Sequence, residues 1–72
     1  MEGKILYHLK KEKSKKEILF VENLSMDKTG WFISVRILKS GKFDKEHCII
    51  KKDIPVWVDS YIRLGWQNIL NS

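Results

Sequence analysis

The chain reads as an α+β protein: a four-stranded antiparallel sheet, in the order β-β-β-β-α, with one C-terminal helix packed on one face. Three observations predict this. Four segments between Lys4 and Lys52 alternate apolar and polar side chains with period two, as strands do. After Asp53 the apolar period lengthens to 3.6, the mark of a helix. Every connection is short, so sequential antiparallel pairing is the economical topology.

The first strand spans Lys4 to Lys10, with Ile5, Tyr7 and Leu9 on one firmly apolar face. Lys10 to Lys16 places five lysines in seven residues, read either as a solvated hairpin loop or as a phosphate-contacting one. Glu17 to Leu24 carries Ile18-Leu19-Phe20-Val21, apolar on both faces, and forms the second strand. Ser25 to Gly30 is a turn, with Ser25 and Asp27 bonding to local backbone and Gly30 free to take positive φ.

The third strand, Gly30 to about Lys39, organises the rest. Trp31, Ile33, Val35 and Ile37 form a wholly apolar face, suited to the buried side of a central strand. The other face mixes Phe32, Ser34, Arg36 and Leu38. Solvent alone would not need the ring and the leucine, and a plain core would not tolerate the guanidinium. Such a face suits something flat and charged, or a partner subunit. Ser40-Gly41-Lys42 turns the chain into a fourth strand, Phe43 to Lys52.

Asp53 is a plausible N-cap, and Pro55 fits the first helical turn, where its missing N–H costs nothing. Ile54, Trp57, Val58, Tyr61 and Ile62 make a stripe that can pack on a sheet. Gly65 reads as a left-handed residue closing the helix, with Trp66 folding back toward Tyr61; the alternative is a helix continuing to about Leu70.

Seventy-two residues make one domain, 1–72, near the lower limit for independent folding. Apolar residues on both faces of the second and third strands, with one helix to cover one face, predict a homodimer. The single cysteine, Cys48, cannot form an internal disulfide, which points to a reducing, cytoplasmic compartment. No apolar run is long enough for a membrane span, and Ile5 to Leu9 is too short and polar for a signal segment. A net charge of +5 favours anionic partners, nucleic acid first and an acidic protein or membrane surface next.

No catalytic constellation, metal site or cofactor motif is expected. His47 and Cys48 are strand neighbours and point to opposite faces, so they cannot pair as base and nucleophile. Even with His8 they fall short of a closed four-ligand zinc site, and Cys48 reads as a buried thiol. The four glycines lie too far apart to cradle a phosphate. Trp57 and Trp31 read as core, while Trp66 suits a subunit interface. Phe32, beside Arg36, is the ring that could stack unpaired bases, with dimer packing as its competitor.

The order of elements, with Gly30-Trp31-Phe32-Ile33-Ser34-Val35, Gly41 to Ile50, and Lys52-Asp53-Ile54-Pro55-Val56-Trp57-Val58, resembles the PUR repeat of the purine-rich-element-binding proteins, short bacterial type. The likeness covers roughly the last 40 residues and extends to the first 25 by pattern. It implies paired repeats that bind single-stranded DNA or RNA on the sheet. Where the family tends to carry a Lys-x-Asn-Arg-like motif, this chain reads Glu22 to Lys28, with Lys28 its one basic residue.

The resulting expectation is a small homodimeric module, not an enzyme, that binds single-stranded nucleic acid through the open sheet face. Lys10, Lys11, Lys13, Lys15, Lys16, Lys28, Arg36, Lys51 and Lys52 would supply charge, Phe32 stacking, and Ser34 a hydrogen bond. The rival is a protein-interaction module, an inhibitor or adaptor of phage or plasmid type using the same face on an acidic protein. A small chromo- or tudor-like barrel ending in a helix is a third reading.

Overall fold

The computed structural model describes residues 3–25 and 28–70; Met26 and Asp27, part of the expected second turn, lie outside them. Strands β1 (Ile5–Lys10), β2 (Lys16–Glu22), β3 (Phe32–Lys39) and β4 (Lys42–Ile50) form an antiparallel meander. A 3₁₀ turn, Lys51–Asp53, leads into α1 (Ile54–Arg63). The chain then adds a strand that the sequence pattern does not announce, β5 (Gln67–Asn68). It pairs antiparallel with β1 and makes the sheet five-stranded, in the order β4-β3-β2-β1-β5. The expected four strands are therefore corrected to five.

Register assigns the faces. Ile33, Val35 and Ile37 stand opposite Glu22, Phe20 and Ile18 on one side and Ile49, His47 and Lys45 on the other. On this face α1 packs, with Trp57 against His47 and Tyr61 edge-on to Phe20, their ring centroids 5.7 and 6.5 Å apart. Leu9, Ile18, Phe20, Ile33, Val35 and Ile49 of the sheet and Ile54 of the helix are the buried core. The first hairpin departs from simple alternation. A bulge at Leu6 places Ile5 opposite Val21 and Tyr7 opposite Phe20, so Ile5 leaves the face of Tyr7 and Leu9 for the uncovered one.

The helix ends where Gly65 directs it. With φ at +97°, Gly65 donates to the Ile62 carbonyl, and Trp66 N–H reaches the Tyr61 carbonyl at 3.1 Å. These are the two bonds of a Schellman motif, and the Trp66 and Tyr61 rings meet edge-on at 5.9 Å. The reversal aims residues 67–69 at β1, where Ile69 N–H bonds the His8 carbonyl. At the other helix end Asp53 holds the cap position, but its side chain makes no capping bond.

Two burial expectations are corrected. Trp31 is 48% exposed: pairing begins at Phe32, and the tryptophan sits at the sheet rim, where its carbonyl accepts from Lys51. Cys48 is exposed on the face away from the helix, opposite Ser34, and is not a buried thiol. Among the described residues no helix is long and apolar enough to cross a membrane.

Candidate nucleic-acid interface

The face away from α1 carries Phe32, Ser34, Arg36 and Leu38 of β3. Beside them lie Glu17, Leu19 and Val21 of β2, and Phe43, Glu46, Cys48 and Ile50 of β4. No described helix or strand packs over it, yet Ser34 and Val21 on it are buried, and Phe32, Arg36, Leu38 and Leu19 are only partly exposed. Its polar groups, however, are engaged with one another. Arg36 Nε donates to Glu46 Oε1 at 2.8 Å across the β3–β4 pair. His8 Nε2 lies 2.8 Å from Glu17 Oε1. Asn23 Nδ2 donates to the Ser34 hydroxyl oxygen at 2.8 Å.

These contacts decide what the face offers. Ser34 is 1% exposed and already holds Asn23, so it is not presented as a hydrogen-bond partner between Phe32 and Arg36; that expectation is corrected. Arg36 has an intramolecular carboxylate partner, which a phosphate would have to displace or share. Phe32 is half-buried, and Leu19 and Leu38 are also half-buried around the centre. What remains accessible is largely apolar surface bordered by the Arg36–Glu46 ion pair and the His8–Glu17 hydrogen bond.

The free cations lie elsewhere. Both hairpins turn at the same end of the sheet, because β1 ends at Lys10, β2 begins at Lys16, β3 ends at Lys39 and β4 begins at Lys42. That end collects Lys10, Lys11, Lys13, Lys15, Lys16, Lys39, Lys42 and Lys45, eight of the fourteen basic residues in the chain. Ser40 N–H donates to the Lys15 carbonyl at 2.8 Å and ties the two hairpin ends together. Along the β1 side, Lys10, Lys11, Glu12, Lys13, Ser14, Gln67 and Ile69 line an open cleft of about 410 Å³. Lys28, Lys51 and Lys52 stand at the opposite end, so the structure separates them from the lysine loop.

Lys39, Lys42, Lys45 and the 65%-exposed Phe43 were missing from the sequence-derived site. Lys39 and Lys42 flank Ser40-Gly41, and a two-residue hairpin between them would have placed both beside the lysine loop. His47, though exposed, meets the Trp57 ring, while His8 lies on β1, separated from β4 by β2 and β3. Among the described residues no group of three His, Cys, Asp or Glu side chains gathers that could hold a metal ion. No family model, curated protein or solved structure matches the chain.

Proposed function

We propose that this protein is a PUR-like module that binds single-stranded nucleic acid. In this reading the lysine-rich hairpin end holds phosphates, and a nucleic-acid strand running along β3 to Phe32, about 23 Å away at the other end, lays an unstacked base on that ring. The observation that carries the reading is the gathering of eight lysines at one end of a sheet, Lys16, Lys39, Lys42 and Lys45 on its helix side, whose other face is partly aromatic. Lysine ammonium groups contact phosphate as point charges and read no sequence. Apolar surface accepts any base, because every base has a π-face. Strand ends and single strands fit this pairing better than duplex, whose bases are already stacked.

The ion pair of Arg36 with Glu46 and the hydrogen bond of His8 with Glu17 favour a second element of the proposal. An apolar patch with satisfied charges suits a protein partner, and a second copy of this chain is the partner that composition requires least to explain. The working form is then a homodimer, with part of each open face in the contact.

The test is binding of a labelled single-stranded oligonucleotide to the parent and to Phe32→Ala. Loss of a stacking ring should weaken binding about 5- to 150-fold, corresponding to about 1–3 kcal/mol, with little change in salt dependence. A folded Phe32→Ala dimer that binds as tightly as the parent removes Phe32 from the site. Dissociation of the dimer in that variant places the ring in the subunit contact instead.

A further inference from the structure

The register of the sheet makes a row that the strands taken singly do not display. Lys16 of β2 stands directly opposite Lys39 of β3, and Lys39 stands directly opposite Lys42 of β4. Directly opposed residues share a face, so the three side chains rise side by side from the helix side of the sheet. Their Cβ atoms are about 5 Å apart from strand to strand. Lys45, opposite Ile37, projects from the same face one step further in. All four are exposed, and none has a salt-bridge partner among the described residues. The helix does not cover this corner: it crosses from His47 on β4 to Phe20 on β2, and Gly65 ends beside Lys11.

Like charges placed directly across a ladder oppose folding. Two nearby carboxylates are turned away. Glu17 and Glu46 project from the other face, where they bind His8 and Arg36. Asp44 occupies the extra position of a bulge between the pairs Ile37–Lys45 and Leu38–Phe43. Lysines on a sheet edge can serve simply to discourage edge-to-edge aggregation. That explanation suits Lys42 and Lys45 on the edge strand β4. It leaves Lys16 and Lys39, on the interior strands β2 and β3, without a reason. Nor does the turn demand them: Ser40 and Gly41, at φ +52° and +79°, supply all that a two-residue hairpin of this type needs.

We infer that Lys16, Lys39 and Lys42 form a phosphodiester-binding row on the helix side of the sheet end, where consecutive backbone phosphates of a single strand are held as it passes over the hairpins. The inference rests on the nucleic-acid reading above and extends the site to the face opposite the expected one. The Ser40–Lys15 backbone bond fixes the two hairpins before the ligand arrives, so little ordering remains to oppose binding. The absence of arginine from the row makes the contact one of charge, without a bidentate grip on any base.

The experiment compares Lys39→Gln/Lys42→Gln with Lys4→Gln/Arg63→Gln, which removes the same charge elsewhere. Each protein is titrated with a labelled oligothymidylate at several salt concentrations and melted at low salt with and without inorganic polyphosphate. The row variant should lose about 1.4 from the slope of log K against log salt, at about 0.7 per single-strand phosphate, while the control keeps the parent slope. Without ligand the row variant should melt at or above the parent temperature, because repulsion is relieved. An unchanged slope in the row variant overturns the row and leaves the nucleic-acid reading standing. A parent that ignores the oligonucleotide yet is stabilised by polyphosphate, with the stabilisation lost in the row variant, overturns that reading and keeps the row as a polyanion site. A parent that responds to neither ligand overturns both.

Discussion

Phe20 has no exposed surface and meets Tyr7 and Tyr61 edge-on, at 5.9 and 6.5 Å. Trp57, expected to be core, is only half-buried, with its ring tilted on His47. Phe20→Ala should therefore destabilise by about 3–5 kcal/mol, the range for a buried aromatic, and Trp57→Ala by clearly less. Urea unfolding of the two variants checks the order, and the reverse order would mean that the helix, not β2, carries the densest packing. Tyr61 bears on pH. Burial disfavours its phenolate and holds the hydroxyl above the usual tyrosine range. The unfolded chain therefore ionises first. The stabilising contribution is complete below about pH 10 and is lost as pH rises through the higher folded value. Tyr61→Phe should flatten that part of the alkaline decline in urea melts, and an equal decline in both proteins would show that Tyr61 ionises as easily folded as unfolded.

Gly65 does for the helix what no neighbouring side chain can. An alanine there would have to adopt a φ of +97°, at a cost of roughly 1–2 kcal/mol for a left-handed L-residue, so Gly65→Ala should lower stability by about that amount. Urea unfolding measures it, and a neutral result would mean that the end of α1 can re-form without the Trp66 fold-back. This stop was one of two readings that Gly65-Trp66 left open, the other a helix to about Leu70, whereas the four long strands were legible in their period of two because that signal is local. β5 was not legible. Gln67-Asn68 has no period to read, and it becomes a strand because the Schellman reversal delivers it to β1. The bulge at Leu6 was equally hidden, since only pairing with Val21 and Phe20 reveals which face Ile5 joins. Trp31 misled because alternation says which way a side chain points without saying where the covering helix stops. Of the proposed site, Phe32 and the lysine loop could be named from sequence. The engagement of Ser34 by Asn23 and of Arg36 by Glu46 could not, because both depend on cross-strand partners ten or more residues away.

Taken whole, the molecule is divided by its topology into a core under α1, an open face with mostly self-satisfied polar groups, and a basic end where both hairpins turn. Lysines far apart in sequence become neighbours there because a meander returns alternate connections to the same edge. The open face predicts self-association, and sedimentation at micromolar concentration should show about twice the chain mass; a monomer under those conditions would leave the face to another occupant. The most direct test of the central claim is the affinity of the parent protein for a labelled single-stranded oligonucleotide, measured across a range of salt concentrations. If about five lysines of the hairpin end each neutralise a phosphate, log K should fall linearly with log salt at a slope of about −3.5. Binding that is absent at low salt, or that persists unchanged as salt rises, would contradict the account.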